Sequence, residues 1–503
     1  MRRWAALALA VLSSAAPADL IDQLRAERFR VTVRLGTAQP AQRLECSSRA
    51  VLRGDARQGL ADVPAGQTVR VTVEETGQPP PVWRLLFGEF DEDDRQEART
   101  LAGQVAGTVV REDPRDEDSD LLVIRGAWSS EGDLRQYLSR VRMASPAEPW
   151  LDGRPRREGL LAVRDESGRT VARAWGVLRL VSDDASATTQ CHVNGDERRY
   201  RGSLVCVATD RGVLLVNEVP VDDYLASVLD TEIGQAPRAA MQAQAIASRS
   251  EALFNAGLSK FGSLHHDLDD TVLSQTYEGA GRETALTRAA VRSTAGIVLM
   301  HGGEIANGVY CTICGGVTGA QEDVWLSEPC AYLRARADTS EGGNAPDLSS
   351  EGAIRRFLED PPPLMCNPEG REDYPSWARR HFRWTADYTA AELGAAAGVG
   401  RATRVQVTGR GASGRVTGLL IEGTSGEERL NRSTAIRAAL SEVRSTLFVV
   451  DELPGGGFRF TGGGYGHGIG MCQMGAIQRA AAGQTPQAIL GAYFPGANLR
   501  RLY

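Results

Sequence analysis

Two stretches of this chain concentrate the side chains that do chemistry, and they lie far apart. The first reads NEVPVDDYLASVLDTEIGQAPRAAMQAQAIASRSEALFNAG from Asn217. Within it Gln242, Ile246, Arg249 and Leu253 share one helix stripe at the i, i+4, i+7, i+11 spacing. An arginine on a stripe with Ile and Leu needs an anionic partner once the stripe is covered, and Glu232, in the loop before the helix, is an available one. The second stretch reads FTGGGYGHGIGMCQMGAIQRAAAGQTPQAILGAYFPGANLRRLY, with seven glycines between Gly462 and Gly475. Such glycines permit tight turns and close approach to a ligand. The stretch lacks the Lys-Ser/Thr ending of a phosphate loop. Tyr465, His467 and Gln473 therefore read as polar groups on a groove floor.

The elements that must position these groups follow from periodicity and breakers. Val221 to Leu229 suits a short helix, Gly234 breaks it, and Pro237 suits the first turn of a second helix spanning about 237–256. Met241, Ala245, Ser248 and Ala252 form another face of that helix. Ala476 to Gly483 begins a helix and Pro486 to Phe494 gives another. Upstream, Phe29 to Leu35 and Thr68 to Val73 alternate like half-buried strands. Arg157 to Val181 and Tyr200 to Val219 read as strands and hairpins, and Asn194-Gly195 is a hairpin turn signal. Gly77 to Pro81 marks a loop, and the acidic runs 91–97 and 112–120 read as solvated faces or loops. The fold class is α+β, with a β-rich N-terminal portion and a groove formed by a helix and the Gly-rich loop.

Composition narrows the function classes. The 503 residues carry 57 basic and 64 acidic side chains, a net charge of −7, which supplies no basic field for nucleic acid or anionic lipid. The single lysine is Lys260, so lysine chemistry is absent from nearly the whole chain. Arg2 and Arg3, the apolar run Trp4 to Leu12 and the small residues to Ala18 resemble a signal peptide over 1–18. No run approaches the roughly 20 apolar residues of a membrane span, and no cysteine sits at the cleavage site for a lipid anchor. An exported protein, periplasmic or extracellular, is the expectation.

Eight cysteines in an exported chain invite disulfides. Cys191 and Cys206 flank the Asn194-Gly195 turn, where a bridge between paired strands is expected. Cys311, Cys314, Cys330 and Cys366 cluster later, and the pairings Cys314–Cys366 and Cys311–Cys330 are expected. Cys311-x-x-Cys314 lacks a second CxxC, so the expectation is no metal and no cofactor.

The two stretches, in this order, resemble the SpoIID/LytB family, the stage II sporulation protein D type of lytic transglycosylases and amidase enhancers. The first matches the family's VNE-P-EDYL…SE…A-QA-A-R pattern through Asn217, Glu218, Pro220, Asp223, Tyr224, Leu225, Glu232, Gln244, Ala245 and Arg249. The second matches GxGYGHGxGMsQyGA through Gly464 to Ala476. Between them SQTY at 274–277, CGG at 314–316, EDVW at 322–325 and PCAYL at 329–333 stand in the expected order. The resemblance covers about residues 195–503, dividing the chain into a β-rich region 19–190 and a catalytic domain 191–503.

That resemblance implies cleavage of peptidoglycan glycan between N-acetylmuramic acid and N-acetylglucosamine, with peptide-stripped strands preferred. The muramyl C6 hydroxyl attacks its own anomeric carbon and leaves a 1,6-anhydro end. One acid protonates the leaving oxygen and then acts as base, so no carboxylate nucleophile is required. The family's catalytic glutamate falls on Glu232, which alone would read as a solvated helix-flank carboxylate. Leu229 and Ile233 flank it and supply an apolar setting that raises a carboxyl pKa. Substrate-side roles fall on Arg249, Tyr332, Arg334, Tyr465, His467 and Gln473. Arg249 reads first as a structural ion-pair partner; at the site it is expected to reach Glu232 through a hydrogen-bond network or water, or to bind substrate.

Two departures stand out. Sporulation members of the family carry a zinc motif D-L-C-D-T-x-H-C-Q-x-Y, and this chain has DLDDTVLSQTY, with Asp269, Leu273 and Ser274 in place of the soft ligands. His265 and His266 then read as surface residues. Cys472 stands where the family has a small hydroxyl residue. Besides the transglycosylase, two other classes fit the sequence. One is a non-catalytic glycan-binding activator of a cell-wall amidase. The other is a cysteine hydrolase using Cys311 or Cys472 with His467.

Overall fold

A computed structural model describes residues 29–503 apart from 55–58, 77–81, 91–97, 99–100, 102–108, 113–120, 129–130, 139–147, 153–158, 259–262, 264, 326–328 and 372–373. The 1–18 segment, the 77–81 loop and most of the two acidic runs thus lie outside the described residues.

Alternation in the first half produces two packed sheets. In Arg30–Gln39 the residues Val31, Val33 and Leu35 are buried, and Val69 and Val71 do the same in Thr68–Glu75. A seven-stranded sheet has the order Leu268–Asp269, Arg30–Gln39, Gly212–Pro220, Ser203–Thr209, Val177–Ser182, Ala50–Arg53, Gly59–Val63. A six-stranded sheet has the order Thr170–Trp175, Leu160–Arg164, Thr68–Glu75, Ala41–Cys46, Thr189–Val193, Asp196–Tyr200. Their inner faces share one apolar core. The Asn194-Gly195 turn joins the last two strands, with φ of 52° and 92°, as a two-residue hairpin demands. The strand Thr189–Val193 crosses residue 190, and both sheets take strands from either side of it.

A third sheet interrupts this sandwich between Thr68–Glu75 and Leu160–Arg164. It comprises Val109–Glu112, Leu121–Trp128, Val82–Phe90 and Glu148–Asp152, and has its own small core.

The strand Gly212–Pro220 runs directly into the helix Val221–Glu232, whose first turn carries Asp222 and Asp223 at the positive end of the dipole. Gly234, at φ +62°, ends it. The long helix Arg238–Leu258 follows and is buried nearly all round. Met241, Ala245, Ala252 and Leu253 belong to the sandwich core, whereas Ala243, Ile246 and Ala247 belong to a second core with the C-terminal half. That helix is the seam of the molecule.

Beyond it, small sheets and short helices form the remainder. Arg383–Thr389, Gly457–Gly463 and Phe448–Leu453 make one three-stranded sheet, and Ala402–Arg410, Val416–Gly423 and Gly426–Asn431 make another. The Gly-rich loop leaves Gly457–Gly463 and ends at the helix Gln473–Ala481. Asn498–Arg501 closes the chain by pairing with Ile297–His301. The architecture is α+β with a β-rich N-terminal portion, as the sequence predicts.

Candidate active site around Glu232

Glu232 is the last residue of the helix Val221–Glu232 rather than part of a loop. Leu229 is fully buried beside it and Ile233 is 9% exposed. The carboxyl is half-buried, and burial raises its pKa above the ordinary carboxylate value. Hydrogen bonds from Thr276, Gln473 and Tyr310 oppose that rise without cancelling it.

The donors come from three separate elements. The Thr276 N–H donates to Glu232 Oε1 at 2.9 Å. The Gln473 amide donates to the Glu232 main-chain carbonyl at 3.0 Å and to Gln244 Oε1 at 3.4 Å. Gln244 donates in turn to Ser248 Oγ at 3.0 Å. Gln275 donates to the Ser248 carbonyl at 3.1 Å and accepts from the Tyr310 hydroxyl at 3.3 Å. Burial first, and then the Glu232 and Glu251 carboxyls, push the Tyr310 hydroxyl up. A connected polar network thus surrounds one carboxyl inside an otherwise apolar seam.

The loop 267–277 presents Thr276, and it is closed without soft ligands. Asp269 is fully buried; its Oδ1 accepts from the Thr271 N–H and hydroxyl, and its Oδ2 meets Arg34 at 3.3 Å. Ser274 Oγ accepts from the Asp269 N–H at 3.1 Å. Asp270 Oδ1 accepts from the Gly36 N–H at 3.2 Å. Oxygen acceptors and Arg34 hold this loop together. His266, expected at the surface, is 8% exposed, and burial pushes its pKa down to about 4.

Arg249 corrects the expectation that it serves Glu232 or substrate. It is fully buried and pairs with Asp222, at 2.7 Å from Nη2 and 2.9 Å from Nε. Its Nη1 donates to the carbonyls of Thr294 and Ile297. A guanidinium so enclosed fixes helix packing and cannot meet a sugar. Asp222 lies at the start of the preceding helix, a partner that spacing along one helix does not disclose.

The other expected substrate residues are dispersed. Tyr332 accepts the Asn307 N–H at 2.9 Å and packs on His301. Arg334 pairs with Glu322. Tyr465 is 40% exposed and its ring lies 4.4 Å from that of His381. His467 accepts from the Ile469 N–H at 3.0 Å and packs on Trp325. Of the Gly-rich loop's three expected residues, Gln473 hydrogen-bonds at Glu232. Thr276, Tyr310 and Gln275 were not singled out from the sequence, and Gln244 and Ser248 stood in a motif and on a helix face without a role at Glu232. The SQTY run contained two of them without marking a role.

All eight cysteines are unbonded, which corrects the expected disulfides. Cys191 and Cys206 sit in different sheets rather than on paired strands. Cys311 faces Cys472 across a parallel strand pair, not Cys330. Cys314 and Cys366 are neighbours, with their sulfurs 3.7 Å apart. Cys311 is 4% exposed and Cys472 fully buried, so neither thiol is accessible to attack a polymer and the cysteine hydrolase falls away.

Known proteins resemble the chain over parts of its length. Residues 209–301 match the family model described as stage II sporulation protein, and residues 319–470 match a domain of unknown function, DUF8618. An uncharacterized protein of Brachyspira hyodysenteriae is 25% identical over 313 residues, covering 61% of this chain and 73% of that protein. The amidase enhancer of Bacillus subtilis is 26% identical over 277 residues, covering 52% of this chain and 38% of that protein. The segment 209–301 contains Glu232, Arg249 and the Thr276 loop, so Glu232 and its Thr276 donor lie in the part of the chain that is similar to the stage II sporulation protein family.

Proposed function

We propose that this protein is an exported peptidoglycan lytic transglycosylase that cleaves the MurNAc–GlcNAc bond of peptide-stripped glycan, with Glu232 as its acid and base. The observation that carries the reading is the half-buried Glu232 carboxyl, its pKa raised by burial while the Thr276 N–H fixes one oxygen at 2.9 Å. A glycosidic oxygen leaves poorly until it is protonated, so the acid must hold its proton near neutral pH. Once the leaving group departs, the same carboxylate accepts the proton of the C6 hydroxyl as that oxygen closes the anhydro ring. Thr276 and Gln473 orient the carboxyl through both steps.

A second reading has its own support, the name of the Bacillus subtilis relative, which is an amidase enhancer. In that reading the protein binds glycan and stimulates a separate cell-wall amidase. Among the described residues no helix is long and apolar enough to cross a membrane. Digestion of peptide-stripped and intact sacculi with the purified protein, followed by mass spectrometry, separates the readings. New 1,6-anhydro ends, more abundant on stripped strands, support the enzyme. Glycan pulled down with no new ends, together with stimulation of an added amidase, overturns it in favour of the enhancer.

A further inference from the structure

Away from Glu232, four fully buried side chains bring one donor atom each to a common point. Cys314, Asp338, Cys366 and Cys472 all have no exposed surface, and their sulfur and carboxylate atoms lie within 4.8 Å of one another. We propose that this cluster binds one zinc ion as a closed structural site of three thiolates and one carboxylate, tying the Gly-rich loop to the 311–366 region. The site is separate from the 267–277 loop, and the inference does not depend on the glycan chemistry.

Distances support tetrahedral coordination. Zinc–sulfur bonds of about 2.3 Å at tetrahedral angles set sulfurs about 3.8 Å apart, and a carboxylate oxygen about 3.5 Å from each sulfur. Cys314 and Cys366 sulfurs are 3.7 Å apart, and Cys314 Sγ lies 3.7 Å from Asp338 Oδ2. Neither separation is a covalent bond, yet both are the edges of a metal tetrahedron.

Two of the sulfurs receive the N–H donors that suit a thiolate. Cys472 Sγ accepts the N–H groups of Cys314 and Gly475, at 3.3 and 3.4 Å, and caps the helix Gln473–Ala481 at its positive end. Cys314 Sγ accepts the Gly316 N–H at 3.4 Å. Gly315 and Gly316, at φ +80° and +110°, allow that turn. Outer partners orient the carboxylate: Asp338 Oδ1 accepts from the Tyr493 hydroxyl at 2.7 Å and faces Arg479 at 3.4 Å, so Oδ2 points to the sulfurs.

Charge gives an independent argument. Arg415 and Arg479 are buried against this cluster, and Arg383 donates to the Gly315 carbonyl beside it. Arg415 donates to the carbonyls of Cys314 and Val317, and its Nε and Nη1 have no hydrogen-bond partner among the described residues. Neutral thiols would leave these cations only Asp338 and, near Arg415, Asp323. Zinc with three thiolates and a carboxylate carries a net charge of −2 and lowers the cost of burying them. Soft sulfur ligands in a closed tetrahedron select zinc over calcium or magnesium.

The test is metal analysis of the purified chain by mass spectrometry after dialysis. About one zinc per chain is expected, retained by a Cys330→Ser variant and lost in Cys366→Ser. Cobalt reconstitution of the wild-type protein should give thiolate charge-transfer and tetrahedral d–d bands, which decides the matter even where Cys366→Ser does not fold. Absence of stoichiometric metal after zinc reconstitution overturns the proposal. So does an intact mass lowered by a pair of hydrogens, with a Cys314–Cys366 or Cys311–Cys472 peptide in the digest.

Discussion

The loop at 267–277 and the segment at 471–475 each bring one donor to Glu232, and each is anchored by different chemistry. The loop is held by oxygen: Asp269 accepts from Thr271 and pairs with Arg34, and Ser274 accepts the Asp269 N–H. The segment is held by sulfur: Cys472 sits among Cys311, Cys314 and Cys366, one residue before Gln473. Thr271 and Ser274 lie within five positions of Asp269, whereas Arg34 reaches it from 235 positions away. The sulfur cluster joins residues that the chain separates by 158 positions. The comparison teaches that one carboxyl can be positioned from two sides by anchors of unlike strength and unlike redox sensitivity.

Removing charge partners breaks this comparison at its base. Asp222→Ala strands the fully buried Arg249 with carbonyls alone, and a loss of about 3 kcal/mol is expected from urea unfolding. Cleavage per folded molecule should be unchanged, since Arg249 serves packing. A rate loss without a stability loss would return Arg249 to the substrate.

Asp269→Ala tests the oxygen anchor. Stability should fall by about 2 kcal/mol, because Thr271 and Arg34 lose a buried acceptor. Cleavage should fall roughly tenfold as Thr276 shifts from Glu232. An unaltered rate would show that the loop does not position the carboxyl. Gln473→Ala tests the other side more gently. It deletes the bonds to Glu232 O and Gln244 and should cost about 1 kcal/mol with a smaller rate loss.

The smallest effect concerns pH. Burial raises the Glu232 pKa in the folded chain above its unfolded value. Its contribution to stability is therefore full below the unfolded pKa and is lost as pH rises through the folded pKa. Wild-type protein should lose stability relative to Glu232→Gln between acid and neutral pH, read from urea midpoints. A difference that moves the other way would mean that Glu232 is held ionised.

Much of the scaffold was legible because it is periodic. The strand Phe29 to Leu35, the Asn194-Gly195 turn and the long helix all follow from alternation, turn chemistry and breakers. Glu232 was legible only through the motif around it, since a lone glutamate on a helix flank carries no signal. Of its partners, Gln473 was legible and the others were not. Tyr310 and Gln275 meet through a tertiary contact, and Arg249 takes Asp222, 27 residues away. The cysteine cluster was not legible for a related reason: its members come singly from distant segments, and the one CxxC spacing, Cys311-x-x-Cys314, contributes only Cys314 to it.

The central claim is that Glu232 carries the proton in both steps, and one variant tests it most directly. Glu232→Gln keeps size and polarity but removes the titratable proton. Wild-type and variant proteins, matched for folding by circular dichroism, are incubated with peptide-stripped glycan and the products counted by mass spectrometry. The account predicts that 1,6-anhydro ends fall by about a thousandfold in the variant while glycan binding persists. Anhydro ends formed by the variant at near the wild-type rate would contradict it.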